Sequence, residues 1–299
     1  MQLLSNSKQL LETEYSQVVA RFDADKGVLW TLVNYVGVPC CTEKLLSEIY
    51  HHHKSIENCG GQLYVSGDTH NIRYSVMASL TPGVFNLGGE LALFRKLIRS
   101  RNRAALLQYA TRCIDAVAPR IDHFNSFMTT IALVQGDALG GGLEAALTND
   151  IIIAERGCVM GFPEILFNLF PGMGAYSLAA RKIGTQLAEK VILSGKMYKA
   201  EDLYEMGLVD VIAEKGQGEN AVYDFIKKQE RRANGFSAIQ KVKQRYNPVT
   251  YHELIDIANI WVDTALNLTE KDMRVMDYFV ASQEKLFVQP KEQAQPIAA

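Results

Sequence analysis

The N-terminal part of the chain alternates apolar and polar positions with the two-residue period of a β-strand. The segments YSQVVARFD and GVLWTLVNYV alternate or run apolar, and DADKG between them has the composition of a turn. We therefore predict a pair of strands within residues 15–36. A helix should follow, because apolar residues recur at helical spacing behind Thr42, a typical N-cap, until Gly60 and Gly61 end the pattern.

Strand-like and helix-like segments then alternate. LYVSG, NIRYSVMASL and FMTTIALVQG are predicted strands, and DIIIAERGCVMGF is predicted to form two short ones. Residues 90–124 should form a long helix that breaks near Pro119, and GGGLEAALTN should be a loop that leads into a helix. Such alternation is typical of an α/β architecture.

Three regions follow from this pattern. Residues 1–218 should form the core, and residues 219–288 should form a helical C-terminal region, because polar or Asn-Pro breaks separate four helical segments there. The last residues, 289–299, are small, polar and contain proline, so we expect a disordered tail.

Composition excludes several classes of function. With 299 residues, 48% hydrophobic and 21% charged, the chain can bury a large core. A net charge of -2 gives no field that would favour nucleic acid or an anionic membrane surface. The N-terminus lacks the apolar stretch of a signal peptide, and no later stretch is long enough to span a bilayer, so we expect a cytoplasmic protein without membrane insertion.

Cysteine and histidine give no metal signature. The five cysteines are irregularly spaced without CxxC, which argues against disulfides and structural zinc and favours reduced packing residues. His51, His52 and His53 should point in three directions from a helix, so a polar helix end is a better interpretation than a metal site.

Two glycine clusters stand where predicted strands lead into helices, F-N-L-G-G-E at residues 85–90 and A-L-G-G-G-L-E at residues 138–144. Glycine lets backbone N–H groups approach a ligand, and a helix N-terminus adds partial positive charge. Two such loops could therefore converge on one oxyanion. Either cluster alone is more often a simple turn, and neither has the GxGxxG spacing of nucleotide binding.

Two glutamates lie in otherwise apolar surroundings. Glu144 ends the second glycine cluster, and Glu164 lies in F-P-E-I after a predicted strand. They could be structural, one in the first turn of its helix and the other a loop carboxylate. Alternatively, they face one reacting centre, where burial raises the pKa of at least one of them toward neutrality for acid/base catalysis.

The segments FNLGGE, QGDALGGGLEAALTNDIIIAE, MGFPEILFNLFPGMGAYSLAARKIG and SGKMYKAEDLYEMGLVDVI resemble, in order and spacing, the crotonase (enoyl-CoA hydratase/isomerase) superfamily over about residues 76–212. This resemblance implies a crotonase (ClpP/crotonase-like) fold of repeated ββα units with a helical C-terminal region. It also implies an oxyanion hole made by the N–H groups of Gly89 and Gly141, with Glu144 and Glu164 as the catalytic carboxylates. The Arg-Pro and Asn-Ala motifs common in the superfamily, which bear on CoA contacts, are absent.

The long helix after the first loop, the PGMGAYS segment and the helical C-terminus with Trp261 resemble more specifically the diffusible signal factor synthases. These bacterial enzymes make cis-2-unsaturated fatty acid signals from 3-hydroxyacyl thioesters of acyl carrier protein. The resemblance implies dehydratase and thioesterase activity without a metal or redox cofactor, and a homotrimer or a dimer of trimers. The substrate would be carried on the phosphopantetheine of acyl carrier protein, or on CoA.

Two other functions remain open, a conventional enoyl-CoA hydratase and a regulatory module that binds a signal sensor protein. The resemblance further places Leu139, Met173 and Trp261 in the acyl pocket, although core packing is the commoner role for each taken singly. A basic run after the first loop suits an acidic carrier protein or its phosphate, but could equally be a solvated helix face. It consists of Arg95, Lys96, Arg99, Arg101 and Arg103.

Overall fold

A computed structural model describes residues 2–288 of the chain. Its strands are β1 (Val18–Asp23), β2 (Val28–Val33), β3 (Gln62–Val65), β4 (Asp68–Asn71), β5 (Tyr74–Ser79), β6 (Gly83–Asn86), β7 (Thr129–Val134), β8 (Gly136–Leu139), β9 (Ile151–Glu155), β10 (Val159–Gly161), β11 (Met197–Lys199) and β12 (Val211–Ala213). Its α-helices are α1 (Gln2–Glu12), α2 (Glu43–Asn58), α3 (Leu91–Arg99), α4 (Arg103–Ile121), α5 (Gly141–Leu147), α6 (Ala175–Ile183), α7 (Thr185–Ser194), α8 (Ala200–Glu205), α9 (Gly218–Glu230), α10 (Ala233–Tyr246), α11 (Tyr251–Leu266) and α12 (Glu270–Val288). Two short 3₁₀ helices span His123–Asn125 and Glu164–Phe167.

Most strands belong to two sheets. The larger has the order β1-β2-β5-β7-β9-β12 and is parallel except for the β1–β2 hairpin, which confirms the predicted N-terminal strand pair. The smaller has the order β11-β10-β8-β6, and β3 and β4 form a separate antiparallel pair. Every residue of β7 is buried, as expected of an apolar strand that is covered on both faces. The predicted α/β class is confirmed.

The predicted helix break at Pro119 is wrong. The helix breaks earlier, between α3 and α4, where Arg101 has a positive φ of 50°. Asn102 then caps α4 by accepting a hydrogen bond from the N–H of Ala105 at 3.0 Å. Pro119 lies in the last turn of α4, two residues before its end at Ile121, and does not divide the helix.

The histidine cluster is not a polar helix end, which corrects the sequence-based interpretation. Only His51 is exposed, whereas His52 and His53 are buried. His52 Nε2 lies 2.9 Å from Thr31 Oγ1, and His53 Nδ1 lies 2.7 Å from the carbonyl oxygen of Ala116. Burial lowers the pKa of His52 to about 3 and that of His53 well below its usual range, so both rings are neutral.

Two further predictions for the core are confirmed. Thr42 caps α2 by accepting a hydrogen bond from Leu45 N–H, and all five cysteines are free and buried. The C-terminal region is helical from α9 to α12, and the predicted disordered tail at residues 289–299 lies outside the described residues. In residues 2–288, no helix combines the length and the apolar character needed to cross a bilayer.

Candidate active site

The first glycine loop follows β6 and is fixed by backbone hydrogen bonds. The N–H of Cys41 donates to the carbonyl oxygen of Gly88 at 2.8 Å. In a trans peptide the C=O and the N–H point in opposite directions, so this bond turns the N–H of Gly89 away from Cys41. Gly89 lines a cavity, and its N–H is therefore a donor available at the cavity wall.

The second glycine loop lies directly against the first. Gly141 is the first residue of α5, where helix N–H groups have no acceptor within the helix. A Cβ atom on Gly142 would lie 2.1 Å from the carbonyl oxygen of Asn86, so only glycine lets the two loops approach this closely. Gly141 lines the same cavity as Gly89. The structure thus brings together Gly89 and Gly141, the two glycines predicted to supply the oxyanion hole.

A buried polar network, which the sequence did not reveal, holds the first loop in place. Asn86 accepts a hydrogen bond from the N–H of Gly88 at 2.7 Å and donates to the hydroxyl of Tyr35 at 2.8 Å. That hydroxyl in turn donates to the carbonyl oxygen of Phe85 at 2.7 Å. Burial raises the pKa of Tyr35 well above its usual range, so the phenol stays neutral and keeps its proton for this bond.

Tyr109 of α4 anchors the loop from the other side. Its hydroxyl donates to the carbonyl oxygen of Cys41 and accepts a hydrogen bond from the N–H of Glu90 at 3.2 Å. The ring is buried and lines the cavity. Nothing in the local sequence distinguishes Tyr109 from a core aromatic, because its partners lie 68 and 19 residues away.

Glu144 is buried, with 2% of its surface exposed. Its Oε1 accepts hydrogen bonds from the N–H groups of Met173 at 2.7 Å and Ala175 at 2.9 Å. Burial raises the pKa of Glu144 to about 7, and the two N–H donors partly offset this effect because they favour the charged form. Glu144 is therefore a carboxylate with a pKa suited to proton transfer near neutrality.

Glu164 begins the 3₁₀ helix Glu164–Phe167 that follows β10. Its Oε2 is buried and has no hydrogen-bond partner within residues 2–288. Burial, reinforced by the charge of Glu144, raises the pKa of Glu164 to about 8. Since the two carboxyls repel each other's charge, the pair keeps a proton at a higher pH than an isolated carboxyl would.

Both glutamates and both glycine loops face one cavity of about 50 Å³. Met173 and Trp261, two of the three predicted pocket residues, line it, whereas Leu139 is not part of its wall. Trp261 also packs edge-on against Phe94 with ring centroids 5.0 Å apart, so it serves the core as well. The cavity wall consists of Gly89, Leu91, Phe94, Tyr109, Ala110, Cys113, Gly141, Glu144, Glu164, Phe167, Leu169, Gly172, Met173 and Trp261.

The basic run lies along α3 and the start of α4, and most of it contacts the C-terminal helices. The ion pairs are Arg95 and Arg99 with Asp277 of α12, and Arg103 with Asp263 of α11. Arg101 donates to the carbonyl oxygen of Leu266 at 3.4 Å, and Lys96 is exposed. These arginines therefore link the C-terminal helices α11 and α12 to α3 and α4, a structural role that the charge pattern alone does not indicate. Carrier-protein docking stays a prediction.

Helix α12 contacts two separate parts of the site, and the sequence did not predict these contacts. Gln283 donates to the carbonyl oxygens of Leu87 at 2.9 Å and Gly89 at 3.2 Å, on the first loop. Phe279 packs against Phe167, which lies three residues after Glu164, with ring centroids 5.4 Å apart. One C-terminal helix thus contacts both the oxyanion loop and the turn that carries Glu164.

In the described part of the chain, no three or more His, Cys, Asp or Glu side chains are grouped so that they could hold a metal ion. The cavity wall itself carries carboxyls and backbone N–H groups. Two neighbouring carboxyls can exchange protons near neutrality, and two backbone N–H groups can stabilise negative charge on an oxygen.

Comparison with solved structures shows the same fold. Human mitochondrial delta3-delta2-enoyl-CoA isomerase aligns with a TM-score of 0.72 at 16% identity, over 91% of this chain and 99% of that one. Enoyl-CoA hydratase from Bacillus halodurans aligns with a TM-score of 0.72 at 19% identity, over 88% of this chain and 100% of that one. Pseudomonas aeruginosa DspI aligns with a TM-score of 0.63 at 23% identity, over 90% of this chain and 97% of that one. The crotonase fold implied by the sequence is confirmed.

Sequence comparison leads to the same family. Probable enoyl-CoA hydratase 2 of Arabidopsis thaliana is 30% identical over 166 residues, covering 55% of this chain and 51% of that protein. Mouse methylglutaconyl-CoA hydratase is 31% identical over 152 residues, covering 51% and 46%. The chain thus spans about half the length of these curated relatives. The model of the enoyl-CoA hydratase/isomerase family matches residues 53–290, and the chain therefore belongs to this family, the crotonases.

Proposed function

We propose that the chain is a dehydratase and thioesterase that acts on 3-hydroxyacyl thioesters of acyl carrier protein and releases a cis-2-unsaturated fatty acid. The observation that carries this proposal is the pair Glu144 and Glu164, with raised pKa values, on one cavity with the N–H groups of Gly89 and Gly141. Dehydration of such a thioester needs a base, an acid and a site that stabilises the enolate oxygen.

The hydrogen bonds of the two carboxyls support an assignment of roles that the sequence left open. Two N–H donors favour the charged form of Glu144, whereas Glu164 Oε2 is buried without a hydrogen-bond partner within residues 2–288, which favours the protonated form of Glu164. For hydration of an enoyl thioester, Glu144 then activates water for attack at C3 and Glu164 protonates C2. Dehydration is the reverse and starts from the opposite arrangement, with the shared proton on Glu144. Glu164 then removes the C2 proton while Glu144 protonates the leaving C3 hydroxyl, and water departs.

The same groups suffice for thioester hydrolysis. Water loses a proton to Glu144 as it attacks the thioester carbonyl carbon, and the N–H groups of Gly89 and Gly141 stabilise the resulting oxyanion. When the intermediate collapses, the carbon–sulfur bond breaks and the thiolate takes a proton from the carboxyl. The products are the free acid and the thiol of the carrier.

Two lines of support favour different substrates. The resemblance of the PGMGAYS segment and the helical C-terminus to diffusible signal factor synthases supports the carrier-bound substrate and the release of a quorum-sensing signal. The names of the curated relatives support a second candidate, reversible hydration of an enoyl-CoA without release of acid. Both candidates use the same carboxylates, so the products distinguish them.

Mass spectrometry of the products tests the proposal. The protein and its Glu144→Ala and Glu164→Ala variants would be incubated with 3-hydroxydodecanoyl thioesters of carrier protein and of CoA. We expect free cis-2-dodecenoic acid from the carrier-bound substrate, and its loss in both variants. Reversible formation of trans-2-enoyl-CoA without free acid would instead support the conventional hydratase, and no turnover of either substrate would support a sensor-binding module.

Lys96 offers a test of carrier docking that avoids the arginines holding α11 and α12. Lys96→Glu should raise the KM for the carrier-bound substrate and leave the KM for the CoA thioester unchanged, because an exposed glutamate repels an acidic carrier protein. Lys227→Glu, the same change at an exposed site on α9, is the matched control. A homotrimer, or a dimer of trimers, is part of the proposal and is checked by light scattering of the same preparations.

A further inference from the structure

A second cavity, of about 30 Å³, lies behind the first. We call it the inner cavity, and the cavity that contains the carboxylates the reaction chamber. The inner cavity is enclosed by α2, α4 and the strands of the larger sheet. Its wall is almost wholly apolar and includes Val33, Leu45, Ile49, Met77 and Ala116.

The two cavities share part of their walls. Cys113 and Met173 line both of them. Met173 Cε lies 3.2 Å from the position that a Cβ on Gly141 would occupy, so its side chain stands next to the oxyanion donors. An unbranched methionine has three rotatable bonds and adapts readily to a neighbouring group. A change of its rotamer would therefore move the side chain out of the wall that the two cavities share.

The reaction chamber alone is too small for a fatty acyl chain. The reaction chamber, at about 50 Å³, has room for a few water-sized groups, whereas sites for drug-sized ligands usually enclose roughly 300–1,000 Å³. A thioester carbonyl with its C2 and C3 fills such a chamber, and the rest of a fatty acyl chain needs apolar space beyond it. The inner cavity is apolar space next to the chamber, and the side chain of Met173 would add its own volume when it moves.

The polar residues in the wall do not oppose an acyl chain. Arg120 directs its guanidinium to Asn149 Oδ1 at 2.6 Å and to the carbonyl oxygen of Ser75 at 2.9 Å. His53 is neutral, because burial lowers its pKa well below the usual range. Neither side chain leaves a charge without partners that an apolar ligand would have to cover.

We propose that the inner cavity receives the distal end of the acyl chain, with Met173 as the movable partition and Ala116 as a determinant of chain length. The identity of the ligand as a fatty acyl thioester rests on the proposed function. The site itself rests on the shared wall and the apolar lining. A binding measurement that needs no turnover separates the two.

The test measures the affinity of 2-oxoalkyl pantetheine thioethers by calorimetry, in a series from four to fourteen carbons. These ligands keep the carbonyl group but cannot be dehydrated or hydrolysed. For the unmodified protein, we expect affinity to rise about fourfold per added methylene until the inner cavity is full. Ala116→Val adds two carbons to the wall and should end this rise about two carbons earlier, which lowers the affinity for the longest ligand roughly 15-fold.

Ala118→Val is the matched control, since it makes the same change on the same helix at a residue that lines neither cavity. It should leave the series unchanged. If Ala116→Val does not fold, Met173→Ala decides, because removal of the partition should raise long-chain affinity several-fold relative to the four-carbon ligand. An affinity series that is the same in all variants, or one that is flat beyond four carbons, would overturn the proposal.

The two proposals can fail independently. Loss of long-chain affinity in Ala116→Val together with no turnover of any 3-hydroxyacyl thioester would keep the inner cavity as an acyl site and reject the proposed reaction. Turnover of 3-hydroxyacyl thioesters with a chain-length profile that Ala116→Val does not alter would support the proposed reaction and reject the inner cavity as an acyl site.

Discussion

Replacement of Glu164 by glutamine should stabilise the protein at neutral and alkaline pH while it removes activity. Glu164 has a buried Oε2 without a hydrogen-bond partner among residues 2–288, next to the charge of Glu144. These surroundings disfavour the ionised form and raise the pKa from the usual 4.5 to about 8. Glutamine is neutral and has nearly the same shape, so the variant avoids the cost of burying an ionised carboxylate.

The sign and size of the effect follow from proton linkage. A carboxyl whose pKa is raised in the folded state makes its full contribution to the free energy of unfolding below the pKa that it has in the unfolded state. This contribution is lost as the pH rises toward the pKa of the folded state. Between the two values the free energy of unfolding falls by about 1.4 kcal/mol per pH unit for one such group. From about pH 5.5 to about pH 7.5, Glu164→Gln should therefore gain roughly 2–3 kcal/mol relative to the unmodified protein.

Urea denaturation at several pH values measures this difference, and Glu48→Gln provides a control of opposite sign. Burial raises the pKa of Glu48, but hydrogen bonds from Ser16, Lys44 and Gln17 outweigh it and lower the pKa below its usual value. Glu48→Gln should therefore lose stability by an amount that stays constant over the same pH range. If the difference between Glu164→Gln and the unmodified protein is also constant, Glu164 is an ordinary carboxyl and its assignment as the acid is refuted.

Three further predictions concern the site. The kcat/KM should peak between about pH 7 and pH 8 and fall about tenfold per pH unit on either side, because the pair loses its base below this range and its acid above it. Tyr109→Phe should lower kcat more than it changes KM and should destabilise by roughly 1–3 kcal/mol for each backbone group of Cys41 and Glu90 left unpaired, as thermal unfolding would show. Gly142→Ala, whose Cβ would lie 2.1 Å from the carbonyl oxygen of Asn86, should separate the glycine loops and lower kcat at least about tenfold, whereas Gly235→Ala, with no atom within 4 Å of its Cβ position, should not.

The sequence predicts those parts of the fold that depend on local patterns. The alternation in residues 15–36 becomes the hairpin of β1 and β2, and Thr42 caps α2 as its position before an apolar repeat suggests. The two glycine clusters are visible because close backbone approach requires glycine itself. Glu144 and Glu164 stand out because charged residues are rare in apolar segments.

The remaining features depend on contacts between distant residues, which a local pattern does not contain. Gln283 reaches the carbonyl oxygens of Leu87 and Gly89, 196 and 194 residues earlier in the chain. The helix breaks at Arg101 because the chain turns there to pack α4, although Pro119 is the stronger local signal. His52 and His53 face inward because Thr31 and Ala116 offer partners that only the folded chain supplies.

The central claim is that the two carboxylates act as one unit on an acyl thioester. The most direct test is the kcat/KM for turnover of a 3-hydroxyacyl thioester by the protein, by Glu144→Gln, by Glu164→Gln and by the double variant. We predict that each single change lowers kcat/KM by about 10²–10⁴-fold, and that the double variant is little worse than either, because a base without its acid partner is already ineffective. A single variant that keeps kcat/KM within about tenfold of the unmodified protein would contradict the account.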